Sequence, residues 1–127
     1  MKKFEFLDGV TSDVVFIAYG RDMKELFENA AQALFSVICD IERIETKEKI
    51  EIEVNGNSYE DLLYNWLQEL IARVDIDCIF LSNFKIVSLN KNYLKAICKG
   101  ENASNEKSGT LVKAVSLHGF ALEKKDN

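Results

Sequence analysis

A helical period of apolar residues over positions 22–41 is the feature that most constrains the fold. Apolar side chains occur at positions 23, 26, 27, 30, 34, 37, 38 and 41, which is the spacing of one face of an α-helix. Asp22 has the chemistry of an N-cap, and Glu25 follows it three residues later. The pattern therefore predicts an amphipathic helix from Met23 to about Asp40. Its polar face is expected to carry Lys24, Glu28, Asn29 and Gln32.

A second helix is predicted after the Asn55-Gly56-Asn57 turn signal. Ser58 is a good N-cap residue, and Asp61 occupies the third helical position. The apolar stripe that follows comprises Leu62, Leu63, Trp66, Leu67, Leu70, Ile71 and Val74. We expect this helix to end at residues 75–77.

Strand patterns fill the rest of the chain. Alternating or β-branched-rich segments lie at residues 3–7, 14–19, 48–54, 79–88, 93–100 and 110–117, with a polar loop expected at 101–109. We expect Phe84, Ile86 and Ser88 to share one face, and Leu94, Ala96 and Cys98 to point inward. The order is β-β-α-β-α-β-β-β, which predicts an α+β, two-layer sandwich with a mainly antiparallel sheet. Both helices should cover one face of that sheet, in a single domain over residues 1–127.

Composition excludes several classes of function. The formal net charge is −5, so tight binding to a nucleic-acid backbone is not expected. Apolar runs are too short to span a membrane, and a secretory leader is not predicted at the N-terminus. Cys39, Cys78 and Cys98 form no CxxC pair and are expected to be buried small hydrophobes in a reducing cytoplasm.

Chemistry-bearing residues concentrate in the connection between the first two strands. Residues 6–15 contain Asp8 and Asp13 together with two hydroxyls and Gly9. Such a segment is either a hairpin turn in which short side chains bond their own backbone, or a site for a hard cation such as calcium or magnesium. Lys113 is either a solvated strand lysine or a partner for nearby carboxylates or phosphate. His118, the one histidine, is either structural or one half of an acid–base device.

Four segments, in order and spacing, resemble the archease family. These are FEFLD with TSDV at residues 4–8 and 11–14, AYG with LFENAA at 18–20 and 26–31, LLYNWLQEL at 62–70, and VKAVSLHG at 112–119. They are similar to the family segments YEFLDHTADVG, AYG…EEAFENAA, LLVDWLNELL and VKAVTYHG. Gly9-Val10 stand where the family has a histidine.

The resemblance implies an α+β fold and a cytoplasmic, non-enzymatic accessory protein of tRNA processing. Such a protein activates an RtcB-type tRNA-splicing RNA ligase by promoting its guanylylation and multiple turnover. The resemblance also implies a divalent metal, calcium by expectation, on acidic residues that match Asp13 and Asp40. The family's strand lysine matches Lys113. A further metal-binding aspartate of the family has no counterpart among the residues up to Asn127.

Two rival functions stay open at this point. The first is a chaperone or adaptor that modulates a tRNA methyltransferase, a role that the resemblance also implies for some members. The second is a small phosphoesterase that would use Asp13 and His118 as an acid–base pair. The second requires the two side chains to converge in one cleft.

Overall fold

The computed structural model describes residues 3–7 and 15–109. Within them the elements are β1 (Phe4–Leu7), β2 (Val15–Ala18), α1 (Met23–Ile38), β3 (Glu48–Asn55), α2 (Tyr59–Asp77), β4 (Ile79–Asn90) and β5 (Tyr93–Asn102), with short 3-10 helices at Ile41–Arg43 and Asn105–Lys107. This order matches the predicted one as far as β5. The predicted strand at 110–117 lies outside the described residues.

The described strands form two antiparallel sheets. Strands β1 and β2 pair as a hairpin, with Phe4 opposite Ala18 and Leu7 opposite Val15. Strands β3, β5 and β4 form a three-stranded sheet in that spatial order. A tight turn at residues 91–92 joins β4 to β5 and fixes their register from the pair Asn90 and Tyr93. The α+β class, with two helices and antiparallel strands, is confirmed.

Local hydrogen bonds start both helices at the predicted residues. The Asp22 carboxylate accepts a bond from the Glu25 backbone N–H at 2.8 Å. At the second helix, the Ser58 hydroxyl accepts from the Asp61 N–H at 3.1 Å. Each bond satisfies a donor that the first helical turn leaves unpaired.

The core lies between the two helices and one face of the three-stranded sheet. Helix α1 packs on β4 and β2, and α2 packs on β3, β4 and β5. Trp66 is fully buried between the helices, and its Nε1 donates to the Phe27 carbonyl at 3.0 Å. The predicted inward residues Leu94, Ala96 and Cys98 are all fully buried. The helices therefore cover one sheet face, as predicted.

The first helix departs from its predicted end and polar face. It stops at Ile38, two residues before Asp40, because Cys39 is extended and forms an antiparallel bridge with Ser108. Asn29, predicted on the polar face, is buried and donates from its Nδ2 to the Tyr19 carbonyl at 2.7 Å. Both differences come from contacts with residues outside the helix, Ser108 in one case and Tyr19 in the other.

Three further expectations were wrong. Ser88 does not share the buried face of Phe84 and Ile86, because a register shift between Ile86 and Ser88 interrupts the alternation of β4. A loop was expected over residues 101–109, but its first two residues are the end of strand β5, and residues 105–107 form a 3-10 helix. Cys78 is exposed rather than buried. None of the helices in the described part of the chain is long and apolar enough to cross a membrane.

Candidate functional site

Asp40 is the one predicted site residue that the structure describes. Asp8, Asp13, Lys113 and His118 all lie outside the described residues, so their grouping stays a prediction. Asp8 and Asp13 belong to the connection whose two ends are Leu7 and Val15. Those ends are partners in the β1–β2 register, so the connection starts and finishes at one end of the hairpin.

The Asp40 backbone is held firmly, whereas its carboxylate is not. Its N–H donates to the Lys107 carbonyl at 2.9 Å, and its own carbonyl accepts from the Arg43 N–H at 2.9 Å. Its Oδ2 lies 3.6 Å from Nη1 of Arg43, with the two side chains 50% and 54% exposed. An ion pair this exposed contributes little stability. The carboxylate is therefore available to a ligand or partner at a fixed place on the surface.

Cys39, next to Asp40, is not available for thiolate chemistry. Its Sγ donates to the Phe35 carbonyl at 3.3 Å. Burial, together with the negative charges of Asp40 and Glu101, raises the pKa of Cys39 to about 12. Because the thiolate is the form that binds metals and attacks electrophiles, Cys39 acts here as a small core residue.

A close ion pair stabilises the segment that contacts the Asp40 backbone. Lys107 Nζ lies 2.5 Å from Glu101 Oε1, and both side chains are largely shielded from solvent. The same carboxylate oxygen accepts from the Glu45 N–H at 3.2 Å. The hydrogen bond from Lys107 is the main reason why the pKa of Glu101 is lowered. The ion pair thus holds Lys107 in place, and the Lys107 carbonyl accepts the hydrogen bond from the Asp40 N–H.

The described residues by themselves do not form a cation site. Among residues 3–7 and 15–109, no group of three or more His, Cys, Asp or Glu side chains could hold a metal ion. A calcium ion takes six to eight oxygen ligands, and magnesium takes about six. Asp40 offers a single carboxylate, and its ion-pair partner is a cation, Arg43. The predicted site on Asp13 and Asp40 therefore depends on ligands outside the described part.

Comparison with known proteins identifies close relatives over almost the full length of the chain. The sequence model of the archease protein family matches residues 4–127. The protein named "Protein archease" from Sulfolobus acidocaldarius is 40% identical over 129 residues, covering 99% of this chain and 92% of that protein. Its namesake from Pyrococcus abyssi is 40% identical, with coverages of 98% and 90%.

A solved structure shares the fold. The solution structure of Methanobacterium thermoautotrophicum Protein 1598 superposes with a TM-score of 0.75 at 37% sequence identity. The match covers 93% of this chain and 86% of that one. Identity at this level indicates common descent as well as a common fold.

Proposed function

The chain belongs to the archease family, and on that premise we propose that it activates an RtcB-type RNA ligase in tRNA splicing. It would do so as a cytoplasmic accessory protein that promotes guanylylation of the ligase and lets it turn over repeatedly. The match of the family over residues 4–127 carries this proposal. The relatives bear the name archease rather than the name of an enzyme.

An activator of this kind works by binding one conformation of its partner better than another. Docking that favours the loadable conformation of the ligase raises the rate of nucleotide transfer without supplying a catalytic group. The formal charge of −5 suits association with a basic RNA-handling enzyme, since complementary charge raises the association rate. Asp40 is the described residue that we assign to this contact, because its carboxylate is exposed on a fixed backbone.

The proposal includes a divalent cation, expected to be calcium, with Asp13 and Asp40 as its ligands. Asp40 alone cannot complete such a site, so no step of the activation is assigned to the cation. Calcium titration by isothermal calorimetry tests this part separately. Equal heats for the wild type and for Asp13→Asn would contradict it.

The main experiment is a ligase guanylylation assay with and without this protein. We expect the protein to raise the guanylylation rate and the number of turnovers, and Asp40→Asn to reduce that activation about fivefold or more. Asp75→Asn is the matched control, because it removes the same charge from an exposed site at the end of α2. The Asp75 variant should activate like the wild type.

An unchanged rate and turnover number in the presence of the wild-type protein would contradict the proposal. The rival chaperone role makes a different prediction. If the protein is a chaperone, it should change the solubility or specificity of a tRNA methyltransferase. Asp13→Asn should then still bind that methyltransferase. Ligase activation lost on Asp13→Asn and Asp40→Asn supports the ligase role.

A further inference from the structure

The face of the three-stranded sheet that points away from the helices carries most of its charge as lysine. We call it the open face. Along β3, β5 and β4, every second residue is turned toward the core. The residues between them point outward and form the open face. Its charged members are Lys49, Glu51, Glu53, Lys85, Lys95, Lys99 and, at the end of β5, Glu101.

This surface is positive on a protein that is negative as a whole. Four lysines stand against Glu51 and Glu53, since Glu101 is neutralised by its ion pair with Lys107, so the open face has a formal charge of +2, whereas the chain carries −5. Within the described part of the chain, none of the four lysines forms an ion pair. Glu53 is engaged by the Tyr93 hydroxyl, which donates to it at 3.0 Å. Lys95 lies opposite Glu53 in the register, so the charges of Lys49, Lys85 and Lys99 are those available to an external anion.

The strand register brings two of these lysines directly opposite each other. Lys49 pairs with Lys99 across β3 and β5, and both side chains are exposed. Lys85 faces Ile97, the outward residue of β5 that comes two positions before Lys99. Directly opposed partners have Cβ atoms about 5 Å apart and diagonal ones about 7–8 Å, and opposed like charges destabilise a sheet. A bound anion would relieve this repulsion.

Apolar groups lie among the cations. Ile97 is half-buried between Glu51 and Lys85 in the cross-strand rows. Val87, at the register shift of β4, is 45% exposed. A single nucleic-acid strand alternates phosphates with bases whose flat faces pack on apolar and aromatic side chains. A sheet surface with interleaved lysines and apolar side chains is complementary to such a strand.

We infer that the open face binds the phosphate backbone of single-stranded RNA through Lys49, Lys85 and Lys99. This contact goes beyond the proposed activation, which requires only the ligase. Three neutralised phosphates on a single strand give a salt slope of about −2, since each contributes about −0.7. Binding through so few charges is weak and strongly salt-dependent, which agrees with the absence of tight nucleic-acid binding expected from composition.

Fluorescence anisotropy with a labelled oligouridylate tests the inference. A strand of about 12 nucleotides fits the site sizes of non-specific single-strand binders. We expect a slope of log affinity against log salt of about −2 between about 20 and 200 mM salt. Lys49→Gln and Lys99→Gln should each reduce the slope by about 0.7 and weaken binding roughly fivefold to tenfold at about 50 mM salt.

Lys24→Gln is the matched control for net charge. Lys24 is exposed on α1, and α1 covers the opposite side of the sheet, so this variant should bind like the wild type. Lys49→Glu separates binding from folding, because it replaces an opposed like pair by an oppositely charged one. Its thermal midpoint should equal or exceed that of the wild type, while RNA binding is lost.

Two results would overturn the inference. The first is competition by an oligoglutamate peptide of the same charge as effectively as by RNA, which would assign the face to an acidic protein. The second is an equal loss of affinity in Lys24→Gln and Lys99→Gln. Guanylylation of the ligase in the absence of RNA distinguishes this inference from the proposed function. Lys99→Gln should leave that step unchanged even when oligouridylate binding is lost.

Discussion

The three cysteines occupy very different environments. Cys39 and Cys98 are buried, and burial raises the pKa of each thiol to about 12. Cys78 is exposed and follows α2 in the left-handed region, with a φ of 52°. Helices often end on a residue in this conformation, usually glycine. Thiol reactivity in this part of the chain therefore belongs to Cys78.

Alkylation by iodoacetamide should modify Cys78 alone in the folded protein. A thiol with a pKa of about 12 is ionised in about one molecule in 10⁴ at pH 8, and the thiolate is the reactive form. Peptide mass spectrometry after a short reaction measures the label at each position. Cys78→Ser should abolish the fast modification. Fast labelling of Cys39 would show that its bridge to Ser108 opens readily.

At the scale of the elements, local patterns were predictable and long-range boundaries were not. The caps at Asp22 and Ser58 follow from hydrogen bonds between residues three apart, so the sequence contains all the information needed. The end of α1 depends on a segment far along the chain, since Gly109 donates its N–H to the Ile38 carbonyl at 2.7 Å. The register shift after Ile86 likewise depends on pairing with β5.

Glu28, a polar residue of α1, accepts a hydrogen bond from the backbone of strand β4. Among the strands that the structure describes, β4 is an edge of the three-stranded sheet, and edge strands present unpaired backbone groups. The Glu28 carboxylate, expected on a solvated face, accepts a hydrogen bond from the Ile86 N–H at 2.9 Å. Helix α1 thus satisfies part of this edge as well as covering the sheet.

Removing this carboxylate should loosen the β4 edge. Glu28→Ala is expected to lower the free energy of unfolding by about 1.5–3 kcal/mol, the range for hydrogen bonds to charged groups. Amide hydrogen exchange should accelerate at Ile86 more than at Phe84. Glu28→Gln keeps an acceptor oxygen and should lose roughly half as much. Unchanged exchange at Ile86 in Glu28→Ala would contradict this role.

At the scale of the whole molecule, the candidate site was less predictable than the fold. Asp40 was identified through the family resemblance, because an exposed aspartate after a helix has no distinctive local signal. The lysines of the open face were not identified, since each one resembles an ordinary solvated strand residue. Only the pairing of β3 with β5 places Lys49 opposite Lys99. The proposed RNA contact depends on strand register, which a single sequence specifies only indirectly.

Glu101 joins three separate parts of the chain around Asp40. It belongs to β5, it pairs with Lys107 of the 3-10 helix, and it accepts from the backbone of Glu45 before β3. The Lys107 carbonyl in turn holds the Asp40 N–H. One ionised carboxylate therefore stabilises the packing of the segment that presents Asp40.

This arrangement predicts a pH-dependent contribution to stability. Because the pKa of Glu101 is lower in the folded protein than its ordinary value of 4.5, the folded state binds fewer protons than the unfolded state below that value. The contribution is thus complete above pH 4.5 and is lost as the pH falls through the folded pKa. Urea unfolding followed by the fluorescence of Trp66, the one tryptophan, measures it.

Glu101→Gln should be less stable than the wild type at pH 7, and the difference should shrink steadily below pH 4.5. Glu106→Gln is the control, because Glu106 is exposed in the same 3-10 helix and should give a small difference at every pH. If the stability difference between Glu101→Gln and the wild type stays constant down to pH 3, the shape of the Glu101 side chain, and not its charge, determines its role. In that case the Asp40 segment would keep its geometry in acid.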